Sequence, residues 1–142
     1  MVSKPAQAHV QFAVLEPLTL ANKVLGDAIR ASIVPGTGVT RYERAWRMGQ
    51  YEEEGDYLFG RIGFQAQDVT ELWNESKKDF EEAGLQAGTT SPFVIRMTDG
   101  RIGFQRRPGV IEPTTFTSNL QALMNEASPL VRWRVSRETY SI

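Results

Sequence analysis

The hexapeptide Gly-Arg-Ile-Gly-Phe-Gln occurs twice in this chain, at residues 60–65 and again at residues 100–105. In both copies large apolar residues alternate with small or polar ones, which is the pattern of a β-strand with one buried side. The repeat therefore predicts two core strands. Their buried side is expected to carry Ile62, Phe64, Ile102 and Phe104, and the opposite side Arg61, Gly63, Arg101 and Gly103.

The glycines on the arginine side of each copy allow two interpretations. A glycine inside a strand weakens it, and often marks a bulge or the close approach of a ligand or another backbone. The plainer interpretation is that both copies are ordinary core strands. The more specific hypothesis is that Gly63 and Gly103 provide two equivalent positions without a side chain beside the arginines. These positions would belong to a contact surface. Six residues that occur only twice are too short a unit for a repeat protein.

Each copy also lies in a predicted hairpin. Asp99-Gly100 separates two alternating runs in residues 93–106, as in a type I′ turn. A two-residue turn there would pair Ile95 with Phe104. The first copy follows an alternating run at residues 41–49 and an acidic turn at residues 52–56, which predicts a second hairpin. In its first strand we expect Tyr42, Trp46 and Met48 to share a face.

The remaining elements follow from apolar periodicity. We predict a strand at 9–15 with Val10, Phe12 and Val14 on its apolar side, helices at 18–33 and 113–126, and a last strand at 131–137. Residues 68–83 fit two structures. Their apolar spacing and the Asp68/Glu71 capping pair favour a helix, and a hairpin turning at residues 75–78 is the alternative.

This order of elements predicts an α+β fold. Amphipathic helices beside one-sided strands imply a mostly antiparallel sheet with two or three helices on one face. The order is that of a ferredoxin-like, split βαβ arrangement elaborated by an extra hairpin. A length of 142 residues suits one domain spanning 1–142. The abrupt end at Ile142 leaves open that the native chain is longer and that this is its N-terminal part.

Composition excludes several classes of site. The chain has no cysteine and one histidine, His9, so thiolate chemistry is excluded and a transition-metal site is not expected. We expect no catalytic residues, no metal and no cofactor. A hydrolase with a carboxylate site is a third, weaker hypothesis. The first eight residues do not resemble a signal peptide and no long apolar run is present, so we expect a cytoplasmic protein without membrane contact.

One surface stands out. If the apolar sides of the strands meet the helices, the other sheet face carries an arginine-rich set. The candidate binding residues are Arg47, Arg61, Gly63, Arg96, Arg101, Gly103, Arg132 and Arg134. Guanidinium groups bind phosphates in bidentate fashion, and open sheet faces bind single strands in several RNA-binding modules. We therefore expect a non-enzymatic domain that contacts a nucleic-acid backbone, either RNA or a single strand. The alternative is a protein-interaction or assembly subunit, with a protein partner or a homo-oligomer. The predicted face lacks stacking aromatics, and the formal net charge of the chain is -1.

Overall fold

The computed structural model describes residues 10–18, 24–64, 71–82, 89–128 and 130–138. The elements of these residues are β1 (Val10–Pro17), α1 (Leu25–Ser32), β2 (Gly38–Arg41), β3 (Arg44–Met48), β4 (Glu52–Glu54), β5 (Tyr57–Phe64), β6 (Glu71–Asn74), β7 (Asp79–Glu82), β8 (Thr90–Arg96), β9 (Arg101–Gln105), α2 (Pro113–Ala127) and β10 (Trp133–Arg137). Several predicted positions lie outside the described residues. They are His9, Gln65, Asp68 and residues 19–23 of the helix predicted at 18–33.

Sheet is the main regular structure of the described residues. Eight strands form one antiparallel sheet in the order β10-β1-β9-β8-β5-β3-β2, and β4 pairs with β5 beside β3. β6 and β7 form a separate hairpin. Strands account for 48% of the described residues, and the large sheet curls into a half-barrel. The predicted ferredoxin-like arrangement with two or three helices on one face is therefore wrong, because α1 and α2 accompany a curled eight-stranded antiparallel sheet and not a split βαβ layer.

Three segments account for the extra strands. Tyr42 and Glu43 adopt left-handed φ angles of 50° and 64°, and they join β2 to β3 in a hairpin that the sequence did not predict. Tyr42 is consequently 85% exposed rather than part of the core with Trp46 and Met48. The acidic segment predicted as a turn forms β4, which pairs with β5. Only Gly55 and Asp56 remain as the turn between these two strands.

The third segment is residues 71–82, the described part of the stretch for which a helix and a hairpin were both considered. β6 and β7 form an antiparallel hairpin whose turn is at residues 75–78, so the favoured helix was wrong and the alternative hairpin is confirmed. Two features characterise the turn. The Asn74 Oδ1 accepts a hydrogen bond from the Lys77 backbone N–H at 3.1 Å, and Lys78 has a left-handed φ of 52°. Trp73 and Phe80 become cross-strand partners, with ring centroids 5.2 Å apart.

α2 fills the concave side of the curled sheet. It contacts β10 at one sheet edge and β2 at the other. Phe116 on α2 stacks on Phe104 at a centroid distance of 4.0 Å with nearly parallel rings, and meets Phe93 edge-on at 5.9 Å. Both strand residues belong to the predicted hairpin β8–β9. The predicted helix at 113–126 is confirmed, and it buries the expected Phe116, Leu120, Leu123 and Met124.

Side chains of α2 form hydrogen bonds with the backbone of the edge strand β10. The Asn125 amide accepts a hydrogen bond from the Trp133 N–H at 2.7 Å and donates one to the Trp133 carbonyl at 3.2 Å. Gln121 Oε1 accepts from the Val135 N–H at 3.0 Å. An edge strand whose backbone groups are satisfied in this way offers little template for pairing with another chain. This edge of the sheet is therefore closed by the chain itself.

The repeated hexapeptide forms two core strands, as predicted. Ile62, Phe64, Ile102 and Phe104 are between 0% and 3% exposed. The hairpin at residues 93–106 is also confirmed, but its register differs from the expected one. Ile95 faces Ile102 and Phe93 faces Phe104, so the turn has four residues, with Gly100 at a φ of 78°. A shift by two residues leaves every side chain on its predicted face.

Candidate functional site

The candidate residues all lie on one side of the large sheet, which we call the outer face because α2 covers the other. Along each strand they alternate with buried core residues, as the pleat requires. Arg61 and Gly63 flank the buried Ile62, and Arg101 and Gly103 flank the buried Ile102. Arg47, Arg96 and Arg134 likewise alternate with buried residues, and Arg132 is exposed just before β10.

The outer face is divided by the β6–β7 hairpin. The Arg61 Nε–H donates to Asp79 Oδ1 at 3.1 Å, and its Nη2 donates to the Phe80 carbonyl at 2.6 Å. The Arg61 side chain is only 16% exposed. Arg47 lies against the same hairpin, with its guanidinium carbon 5.1 Å from the Trp73 ring centre. These two arginines hold the hairpin and are removed from the candidate binding surface.

The two glycines are not equivalent, because their surroundings differ. A Cβ at Gly63 would lie 2.5 Å from the Thr89 carbonyl oxygen and 2.7 Å from Thr90 Cγ2, so backbone covers that position. A Cβ at Gly103 would meet only side chains, at ordinary distances of 3.4 to 3.8 Å. One of these side chains is Phe12, whose ring lies beside the glycine. Gly63 therefore permits close packing of backbone, and Gly103 makes room for an aromatic ring.

Arg96 and Arg101 lie side by side on the uncovered part of the outer face. Arg96 on β8 is the cross-strand partner of Arg101 on β9, and their side chains are 41% and 51% exposed. Both contact Asp99, through the Arg96 Nε at 3.0 Å and the Arg101 Nε at 3.7 Å. Arg101 also reaches Glu138 at 3.7 Å. Two guanidinium groups thus share one turn carboxylate.

The neighbouring charges keep these groups ionised. Hydrogen bonds from Arg96 lower the pKa of Asp99, and the same bonds raise the pKa of Arg96. Further along this side of the sheet, Arg134 Nη2 lies 2.9 Å from Glu16 Oε2 across the β1–β10 pair. The uncovered surface is therefore a mixture of positive and negative groups rather than a purely basic patch.

Two aromatic side chains on this surface were missed from the sequence. The predicted inward side of β1 is wrong, because Ala13 and Leu15 are buried while Phe12 is 41% exposed on the outer face. Tyr57, which is 44% exposed, is the cross-strand partner of Arg96. Strict alternation with Leu58 could have placed Tyr57 correctly. The sequence had no comparable signal for Phe12, because both sides of β1 are apolar.

We call the uncovered group the aromatic–arginine patch. It consists of Phe12, Tyr57, Arg96, Arg101, Arg132 and Arg134. One row across the sheet runs Tyr57, Arg96, Arg101 and Val14, and the next row runs through Gly103 to Phe12. The two arginines are therefore set between the two aromatic residues. Three strand spacings, about 14 Å in total, separate the strand of Tyr57 from that of Phe12.

Metal clusters and membrane-spanning helices were sought among the described residues. No three His, Asp or Glu side chains within those ranges come close enough to hold a metal ion. Neither α1 nor α2 is long and apolar enough to cross a membrane. Comparisons with protein-family models, curated proteins and solved structures found no match to this chain. We therefore infer its function from geometry and chemistry alone.

Proposed function

We propose that this chain is a non-enzymatic domain that binds single-stranded nucleic acid, RNA or DNA, on the aromatic–arginine patch. The observation that carries the proposal is the placement of Arg96 and Arg101 side by side between Tyr57 and Phe12. Sheet faces that bind single strands combine basic groups for the backbone with aromatic rings on which bases stack. The aromatic component, which the sequence analysis found lacking, is supplied by the outward side of β1 and by the start of β5.

The patch suits a backbone that crosses the strands. The separation of about 14 Å between the two aromatic strands exceeds the rise of about 3.4 Å between stacked bases, so the rings would take bases that are not adjacent. Phosphates between those bases would lie over Arg96 and Arg101. Stacking on a ring tolerates any base, because every base has a π-face. We therefore expect weak sequence preference.

The carboxylates beside the patch limit its expected affinity for nucleic acid. Asp99, Glu138 and Glu16 each contact one or two of the arginines and offset part of their charge. A phosphate would compete with these carboxylates for guanidinium donors. Binding should accordingly be modest and should weaken with added salt, because salt opposes the release of counterions from the nucleic acid. The formal net charge of -1 provides no long-range attraction in addition.

A variant series tests the proposal by fluorescence anisotropy with a labelled oligouridylate. Phe12→Ala combined with Tyr57→Ala is expected to weaken binding roughly 10-fold or more, because base stacking is lost. Arg96→Gln combined with Arg101→Gln should weaken binding and reduce its salt dependence. The matched control is Arg30→Gln with Lys78→Gln, which removes two similarly exposed ion-paired charges elsewhere. Unchanged binding in both patch variants would show that the nucleic acid binds at another surface.

Assembly through the same patch is the second candidate function. It is favoured by the ion pairs, because a nearly neutral surface with exposed Phe, Tyr and Arg has the composition of a protein interface. Size-exclusion chromatography with light scattering separates the two proposals. A dimer that Phe12→Asp converts to a monomer, without nucleic-acid binding, would establish assembly instead. A cytoplasmic location is part of the proposed function in either case.

A further inference from the structure

A pocket of about 540 Å³ opens on the concave side of the sheet, away from the aromatic–arginine patch. It lies between the end of the β2–β3 hairpin and the first two turns of α2. Its lining residues are Arg41, Tyr42, Arg44, Trp46, Val110, Thr114, Thr115, Ser118 and Asn119. Pockets of this volume are typical of sites for small molecules. Nothing in the proposed function uses it.

Asn119 provides the strongest sign of a ligand. Asn119 is among the residues that line the pocket, and the residue is only 2% exposed. The Nδ2 group donates a hydrogen bond to the Thr115 carbonyl at 2.8 Å, which fixes the orientation of the amide. The buried Oδ1 has no hydrogen-bond partner among the described residues. A buried acceptor without a partner is costly. A ligand donor would satisfy it once a small shift of the surrounding side chains opens Oδ1 to the pocket.

Two arginines give the pocket a positive charge. Arg41 and Arg44 face each other across the β2–β3 pair, beyond the buried Trp46. The Arg41 Nη1 donates to the Ser118 carbonyl at 2.7 Å, and the Arg44 guanidinium carbon lies 4.2 Å from the Phe64 ring centre. Within the described part of the chain neither forms an ion pair. This differs from the outer face, where the arginines meet carboxylates.

The beginning of α2 adds backbone hydrogen-bond donors and the positive end of a helix dipole. Glu112 precedes the helix without a side-chain cap, and the first turn contains no acidic residue. Pro113 has no N–H, which leaves the backbone N–H groups of Thr114 and Thr115 in the uncapped first turn. The positive end of a helix dipole favours an anion. Here that end coincides with two guanidinium groups and an unsatisfied acceptor.

The turn that carries the arginines is strained. Tyr42 and Glu43 both have left-handed φ angles, a conformation that side chains with a Cβ rarely adopt. A two-residue hairpin turn requires such angles at both of its central residues. This turn holds Arg41 and Arg44 on the same side of the hairpin and brings Tyr42 to the rim of the pocket.

We propose that this pocket binds a small phosphate monoester that also carries a hydrogen-bond donor. Arg41, Arg44 and the amides at the start of α2 would hold the phosphate, and Asn119 Oδ1 would accept a hydrogen bond from the remainder of the molecule. The volume suits a nucleoside monophosphate or a sugar phosphate, and the two share this chemistry. The site lies on the opposite side of the sheet from the patch and does not depend on nucleic-acid binding there.

Isothermal titration calorimetry with AMP, ribose 5-phosphate, adenosine and sulfate tests the site. At least one of the phosphate esters should bind, and adenosine, which lacks the anion, should bind far more weakly. Arg41→Gln with Arg44→Gln should weaken ester binding roughly 10-fold or more, through loss of charge-assisted hydrogen bonds. The control Arg30→Gln with Lys78→Gln should bind as the wild type does. Asn119→Leu should weaken ester binding while leaving sulfate, which has no donor, unaffected.

A measurement on the unmodified protein guards against variants that do not fold. In a proton–nitrogen spectrum, the ester should shift the Asn119 side-chain amide and the Trp46 indole signals, and leave those of Arg96 and Arg101 in place. Binding of AMP but not ribose 5-phosphate would identify a nucleotide site, and the reverse a sugar-phosphate site. Absence of binding by both esters at millimolar concentration, or shifts confined to residues outside the pocket, would overturn the proposal.

Discussion

Replacing Gly63 with alanine is expected to lower the free energy of unfolding by about 3 kcal/mol, whereas the same change at Gly103 should alter it by less than about 1 kcal/mol. The two glycines occupy the same position in the two hexapeptides. At Gly63 the new methyl group would lie 2.5 Å from the Thr89 carbonyl oxygen, so β8 must shift relative to β5. At Gly103 the nearest atom is Val94 Cγ1 at 3.4 Å, and a side chain can adjust.

Urea denaturation of both variants measures this difference, with equal slopes as the sign that both unfold as the wild type does. The Gly103 variant is the control, because it makes the same chemical change in the same local sequence. Equal losses in the two variants would contradict the packing described for β5 and β8. They would also restore the hypothesis that the two copies are structurally equivalent.

Replacing Arg61 with methionine is expected to cost roughly 2–4 kcal/mol, and replacing Arg101 with methionine less than about 1 kcal/mol. Arg61 and Asp79 are 16% and 19% exposed, so removal of the guanidinium leaves a mostly buried carboxylate without its partner. The Phe80 carbonyl loses a donor at the same time. Arg101 lies in exposed pairs with Asp99 and Glu138, which water replaces easily.

The structural consequence should be local as well as global. Because Arg61 ties the β6–β7 hairpin to the large sheet, backbone amides of residues 71–82 should exchange faster in Arg61→Met than in the wild type. Amides of β8 and β9 should keep their relative protection. The companion variant Asp79→Asn should release the same hairpin. If hairpin exchange is unchanged in both variants, the ion pair does not hold it to the sheet.

The sequence was sufficient to predict the burial of both hexapeptides, since alternation alone decides which side of a strand is apolar. It was also sufficient for α2 and for the outward direction of Arg96, Arg101 and Arg134. It was insufficient for β1, where Phe12 and Leu15 lie on opposite sides and both are apolar. Only pairing with β9 and membership of the common core determine that Leu15 goes inward.

The number of strands could not be predicted for a different reason. The β2–β3 turn uses left-handed conformations at Tyr42 and Glu43, which turn propensities do not anticipate for such residues. In residues 71–82, the spacing of Trp73 and Phe80 satisfied a helix and a hairpin equally well. These local choices separate a curled eight-stranded sheet from the ferredoxin-like arrangement that the order of elements predicted.

The candidate site was predicted in part. Alternation placed the arginines on one face, but it could not show that the β6–β7 hairpin covers Arg47 and Arg61. That covering depends on Asp79, which is 18 residues from Arg61 along the chain. The pocket beside Asn119 had no sequence signal, because its residues come from the β2–β3 hairpin, Val110 and α2 and meet only in the folded chain.

Titration of a labelled oligouridylate with the wild-type chain at two salt concentrations tests the proposed function most directly. Two to four phosphate contacts on the aromatic–arginine patch predict that affinity falls roughly 7- to 50-fold between about 50 mM and about 200 mM salt. Binding with that salt dependence would support the patch as a single-strand surface. No binding at the lower salt concentration, or binding that salt does not weaken, would contradict it.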